Sequence, residues 1–199
     1  MDRRTIVITG GGRGIGAAIT REFHGHGDRV VIGSRVDTGL ARELGDRVIF
    51  QPADVRDSEE SRSLIDRAMK WSGQVDVLIN NAGFSGWRSL AEIDEGFWND
   101  MIDTNLKGTL FACQAAVPHM AEGSSIVNVS SLAGKRGSAN NFRLLWLKVW
   151  RKRHYTIAGK RGWETRGKSK RSMPCLCPNR RSGCCFVGAP ISHGRSGNR

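Results

Sequence analysis

Tyrosine is all but missing from this chain. Among 199 residues there is one, Tyr155, and none lies before Asn141. A reaction needing a positioned phenol cannot draw it from that part. Acid is missing as well, but only at one end. Residues 142–199 hold 15 lysines and arginines against a single acid, Glu164, whereas residues 1–141 hold 16 against 18. The net charge of +12 therefore belongs to the C-terminal segment. It is no argument that the remainder binds nucleic acid or an anionic membrane. Cysteine is just as uneven: Cys113 alone precedes Asn141, and Cys175, Cys177, Cys184 and Cys185 follow it. A single cysteine excludes a disulfide framework in the first part and suits a reduced, cytoplasmic setting. No apolar run approaches the roughly 20 residues of a membrane span. The run behind Met1–Arg4, Thr5-Ile6-Val7-Ile8-Thr9, is too short for a signal-peptide core. Neither membrane insertion nor secretion is expected.

What is present before Asn141 is an alternation of short β-rich runs and helical patterns. Five continuous apolar runs read as strands of a parallel sheet covered on both faces: Thr5–Thr9, Arg29–Gly33, Arg47–Phe50, Val75–Asn80 and Ser125–Ser130. Between them, Ile15, Ala18, Ile19 and Phe23 repeat at helical spacing. Asp57 or Ser58 can cap a second helix with Glu59 and Glu60 in its first turn. Ile102, Leu106, Thr109, Leu110, Cys113 and Val117 mark a third, long one. Alternation of this kind predicts an α/β fold with a doubly wound parallel sheet over residues 1–141.

The turn after the first strand reads Thr9-Gly10-Gly11-Gly12-Arg13-Gly14-Ile15-Gly16. Glycine there lets backbone N–H groups approach a pyrophosphate, and the following helix N-terminus supplies positive potential. The fold expectation is thus Rossmann-like, incomplete at the C-terminus. The spacing, Thr-Gly-x3-Gly-x-Gly, differs from the usual dinucleotide fingerprint, and further motifs follow in order: Asp54-Val55, Asn80-Asn81-Ala82-Gly83, Asn105 within Asp103–Gly108, and Ile126–Ser131. Together they resemble the short-chain dehydrogenase/reductase family, and within it 3-oxoacyl carrier protein reductases and related ketoreductases. The resemblance implies hydride transfer between a nicotinamide dinucleotide and a small carbonyl or alcohol substrate. It implies cofactor contacts from Thr9, Gly10, Gly12, Arg13, Gly14, Ile15 and Gly16, from Asp54 and Val55 at the adenine, and from Asn81, Ala82 and Gly83. It also implies Ser131 as the carbonyl-polarising serine and Asn105 as the asparagine of the proton relay. No metal is expected.

Cofactor choice rests on Ile32-Gly33-Ser34-Arg35. Relatives that prefer NAD carry an acid at the end of the second strand, and this chain has none. Arg35 beside Ser34, with Arg13, could pair with a 2′-phosphate, which favours NADP over NAD.

The family's general acid is a tyrosine, with a lysine four residues later that lowers its pKa from about 10. Counted from Ser131, the tyrosine belongs at position 144, which is Leu144 here; Lys148 falls at the lysine position. Leucine donates no proton. Reverse translation supplies an account. Phe142–Trp150 can be encoded TTC CGC TTA TTG TGG CTC AAA GTT TGG, and shifted by one nucleotide this reads Ser-Ala-Tyr-Cys-Gly-Ser-Lys-Phe-Gly. Ser169–Cys175 shifts the same way to Val-Asn-Ala-Val-Cys-Pro, like the family's sixth strand. Residues 142–199 are therefore expected to be an out-of-frame, disordered basic tail. Catalysis is expected to be impaired, and the helix and strands that would support a homo-oligomer are expected to be lost, with marginal stability as the result. The competing reading is a non-catalytic dinucleotide-binding remnant whose basic tail holds nucleic acid or an anionic membrane. Zinc is disfavoured by the Cys-x-Cys and Cys-Cys spacings.

Overall fold

The computed structural model describes residues 3–86 and 88–130, and the backbone of 155–157 and 163–165. Five parallel strands form the sheet: β1 (Thr5–Thr9), β2 (Arg29–Ser34), β3 (Val48–Pro52), β4 (Val77–Asn80) and β5 (Ser125–Asn128). Their order is β3-β2-β1-β4-β5. Chain direction across the sheet therefore reverses between β1 and β4, which opens a crevice at their C-terminal ends. Two short antiparallel strands, β6 (Tyr155–Ile157) and β7 (Trp163–Thr165), extend the sheet beyond β5. They lie past Asn141, where the sequence suggested no strand.

Side chains of successive strand residues point to opposite faces, so each strand feeds two cores. On one face Val7, Val31, Leu78 and Ile126 meet Leu64, Ile65 and Ala68 of α3 (Ser58–Ser72) and Ala112 and Ala116 of α5 (Gly108–Ala116). On the other, Ile6, Ile8, Val30, Ile32 and Ile79 meet Ile19 of α1 (Gly14–Gly25) and Leu40 and Ala41 of α2 (Leu40–Leu44). This two-sided burial is why the strands are apolar throughout. It confirms the doubly wound sheet.

Two helical stripes differ from expectation. In α1, Ala18 is exposed and Gly16 and Thr20 are buried instead. Thr20 turns inward because its hydroxyl donates to the Gly11 carbonyl at 3.0 Å, a bond no apolar residue could make. The long helix around residue 105 is broken into α4 (Glu95–Ile102), a π-helical turn (Asp103–Lys107) and α5. Its buried line is Met101, Asn105, Gly108, Ala112 and Ala116, while Leu110 is 54% exposed. Close approach selects small residues: a Cβ on Gly108 would lie 2.7 Å from Val55 Cγ2. Among the described residues no helix is long and apolar enough to cross a membrane.

Candidate functional site

The C-terminal ends of β1, β2 and β4 meet at the glycine turn, where Gly10 N–H donates to the Gly33 carbonyl at 2.6 Å. Gly10 and Gly14 both take a positive φ, a region that favours glycine. Gly16 is required for a different reason. A Cβ there would overlap the Gly10 carbonyl oxygen and lie 2.6 Å from Asn81 Nδ2. The start of α1 is thus packed directly on the turn. Arg13 occupies the N-cap in extended conformation, with no side-chain cap bond and no acid in the first helical turn. The contrast is with α3, where Asp57 accepts from the Glu59 and Glu60 N–H groups, and α4, where Asp94 accepts from Phe97. Those helices satisfy their N-termini with carboxylates of their own. The mouth of α1 carries no such anion and keeps its helix-dipole potential for a guest.

Asn81 holds the turn from β4. Its Nδ2 donates to the carbonyls of Thr9 (3.1 Å) and Gly10 (3.0 Å), and the N–H groups of Asn81 and Ala82 both donate to Thr9 Oγ1 at 3.1 Å. Thr9 Oγ1 in turn faces the Ile79 carbonyl at 3.4 Å. The first and fourth strand ends are therefore tied by a reciprocal set of bonds across the crevice. Beside it, Asn80 Nδ2 donates to Asn128 Oδ1 at 2.9 Å, which joins the ends of β4 and β5 in the same way.

Asn105, 4% exposed, sits in the π-helical turn. Its side chain is fully engaged with backbone. Oδ1 accepts from Phe84 N–H at 3.2 Å, and Nδ2 donates to the carbonyls of Phe84 (2.8 Å) and Met101 (3.0 Å). The amide thus pins the chain just after Gly83, where a Cβ would come within 3.1 Å of Asn105 Oδ1. The Asn105 backbone carbonyl accepts from Thr109 Oγ1 at 3.0 Å.

At the β3 end, Asp54 is bound by Arg56: Nε lies 3.0 Å from both carboxylate oxygens and Nη2 lies 2.7 Å from Oδ2. The other Arg56 nitrogen reaches Asp100 of α4 at 2.9 Å. The Arg56 hydrogen bonds, with a smaller push from the Arg35 charge, hold the Asp54 carboxyl below its ordinary value against the opposing effect of burial. A depressed native pKa stabilises the fold above the unfolded value of about 3.9, and that stabilisation is lost as pH falls below it. In thermal melts, Asp54→Asn should cost less than about 1 kcal/mol at pH 7, because the pair is partly exposed. The gap to wild type should close below about pH 3.9. A gap that stays constant down to pH 3 would mean the charge is not what Arg56 reads.

The structure thus brings together Thr9, Gly10, Gly12, Arg13, Gly14, Ile15, Gly16, Ser34, Arg35, Asp54, Val55, Asn81, Ala82, Gly83 and Asn105 at the same end of the sheet. Val55 is buried, so that position contributes packing under α5. Ser34 donates to the Val36 carbonyl at 2.9 Å, which stiffens the loop after β2. Ser131, Leu144 and Lys148 lie outside the described residues. Local pattern reading missed Thr38, Arg56 and Glu60, whose carboxylate accepts from Asp54 N–H at 2.7 Å. Thr38 acts through a contact 26 residues away that its own sequence neighbourhood does not announce.

The family model described as short chain dehydrogenase matches residues 4–142. The chain belongs to the short-chain dehydrogenase family. An uncharacterized oxidoreductase of Staphylococcus aureus (strain USA300) is 39% identical over 137 residues, covering 66% of this chain and 59% of that protein. A short-chain glucose/ribitol dehydrogenase from Brucella melitensis shares the fold with TM-score 0.71 and 33% identity, over 74% of this chain and 64% of that one. A blue fluorescent protein from a metagenomic library, solved with NADPH, does so with TM-score 0.70 and 30% identity, over the same shares. The chain therefore spans less than two thirds of the length of each of these relatives, and the family match stops at residue 142, next to the compositional seam.

Proposed function

We propose that this chain is a short-chain dehydrogenase whose segment up to Ser130 holds NADP(H), and which lacks its proton donor in the sequence as written. The observation that carries the reading is the mouth of α1: a glycine turn of bare backbone, with no carboxylate at the helix N-terminus. The residues present fit a dinucleotide. Gly14 is exposed with nothing within 4 Å of a notional Cβ, so the cradle is open where the phosphates would lie. Arg13 and Arg35 are exposed and donate no hydrogen bond among the described residues. A 2′-phosphate would give both guanidinium groups a dianionic partner. When bound, the nicotinamide supplies the hydride chemistry. The protein's part is to grip the phosphates, fix the chain at Phe84 through Asn105, and present Ser131 to a small carbonyl or alcohol.

The proton is the missing piece. Leu144 stands where the family places tyrosine, and one shifted frame restores both that tyrosine and its lysine. The end of the family match at residue 142 supports a frame change at that point. A cytoplasmic setting belongs to this reading, since Cys113 is the one cysteine before the seam.

Cofactor choice is tested by fluorescence titration. NADPH should bind at least about tenfold more tightly than NADH, and Arg35→Asp should erase or invert the preference, a charge-assisted pair being worth about 1.5–3 kcal/mol. Tighter NADH binding by the wild-type chain would overturn the choice of NADP. Salt-sensitive retention on DNA or anionic vesicles, with no nucleotide binding, would instead favour the adaptor reading that the 15 tail bases suggest.

A further inference from the structure

We infer that Thr38 is a positioning residue for the dinucleotide's phosphates, a latch that sets the NADPH preference through Arg13 and Arg35. The inference rests on the cofactor reading above. Thr38 lies in the loop between β2 and α2, and its Oγ1 donates to the Gly12 carbonyl at 2.9 Å across 26 residues of sequence. The fit is close on both sides. A Cβ on Gly12 would stand 2.8 Å from Thr38 Oγ1 and 3.2 Å from Thr38 Cγ2. The glycine at position 12 is therefore needed to admit this threonine, apart from any need of a ligand.

Fixing the Gly12 carbonyl fixes the plane of the peptide that follows it, because the amide is rigid. That peptide carries the N–H of Arg13, the N-cap of α1. The latch thus aims one backbone donor at the helix mouth. It also joins two segments that are each already stiff. On the loop side, Ser34 Oγ holds the Val36 carbonyl at 2.9 Å, and Asp37 Oδ1 accepts from Gly39 N–H at 2.8 Å. On the turn side, Thr20 holds the Gly11 carbonyl and Asn81 the Gly10 carbonyl, each at 3.0 Å. One segment carries Arg35 and the other Arg13. With the latch closed, the two guanidinium stems spring from a single braced unit, so their separation is set before a ligand arrives. A 2′-phosphate has to meet them as a pair and gains from that preorganisation. A ribose hydroxyl gains little.

Thr38 is exposed, so its substitution leaves the core untouched. In the full chain, Thr38→Val keeps the methyl contact and removes the donor. Calorimetric titration should show the NADPH Kd rising about three- to tenfold, the effect of one hydrogen bond. The NADH Kd should change less than about twofold, and Thr38→Ser should restore NADPH binding. Unchanged melting temperatures would show that the fold is intact. Equal weakening for both nucleotides would reduce Thr38 to a structural tie and overturn the inference. An unchanged NADPH Kd in Thr38→Val overturns it too, while leaving the NADP reading standing. A wild-type chain that binds neither nucleotide, or prefers NADH, overturns the inference together with that reading.

Discussion

A gene re-encoded in the alternate frame from codon 142 onward should reduce carbonyl substrates with NADPH at least about 100-fold faster than the chain as written. Removal of a positioned general acid typically costs about 10²–10⁴ in rate, and position 144 changes from leucine to tyrosine in that frame. The lysine four residues on is restored in its own segment at the same time. Consumption of NADPH over a panel of small ketones and aldehydes measures the effect. Leu144→Tyr alone, in the present frame, should recover less than about a tenth of the gain, because a proton donor works only within hydrogen-bond reach of the reacting oxygen. The segment that should hold it there is still the unrelated one. Equal rates for the present and re-encoded chains would sink the frame hypothesis. Full recovery by the single substitution would show that the present tail already forms a site.

Gly16→Ala should be the most damaging small substitution in the cradle. The added methyl meets backbone, the Gly10 carbonyl, and the Asn81 amide that holds the turn. Neither can step aside alone, so α1 must back away from β1 and the Asn81 bond to Gly10 is strained. Overpacking of this kind costs about 1–3 kcal/mol, and a lost hydrogen bond adds about 1 kcal/mol. The melting temperature should fall by several degrees and NADPH affinity by at least about tenfold. Gly25→Ala, at the other end of the same helix, is the control. Nothing lies within 4 Å of its notional Cβ, so the substitution should leave binding unchanged and stabilise the chain by up to about 1 kcal/mol. Equal effects at the two positions would mean that helix propensity, and not the packing of α1 on the turn, governs position 16.

The five parallel strands were legible because burial on both faces leaves an unbroken apolar run, a purely local signature. Thr5–Thr9 agrees with the structure to the residue, and no other strand boundary moves by more than two residues. The glycine turn, Asn81 and Asn105 were legible as motifs, yet what Asn105 does was not. Its amide closes on Phe84, 21 residues earlier, and no helical pattern discloses that. Of the apolar stripe, Ile102, Leu106, Cys113 and Val117 do pack against the cores, but Leu110 does not, and the most deeply buried line was missed for a related reason. Apolar periodicity marks the largest side chains, while the contact with Val55 and α3 is close enough to demand Gly108, Ala112 and Ala116. Thr38 lies in Val36-Asp37-Thr38-Gly39, which reads as an ordinary polar turn. Only its meeting with Gly12 sets it apart. The β6–β7 pair was hidden by the charge and composition of its surroundings.

The bonds that shape the dinucleotide cradle, from Thr9 and Gly12 through Thr38 to Asn81 and Ala82, start and end upstream of Gly83. On the proposed reading, dinucleotide capture and the proton-donating tyrosine would be inherited from different stretches of the message. A slip of the ribosome or the polymerase past codon 141 would then leave the capture segment unaltered while it removes the proton donor. Such a slip would turn a redox catalyst into a reservoir, a protein that withdraws reduced nucleotide from circulation and returns it unspent.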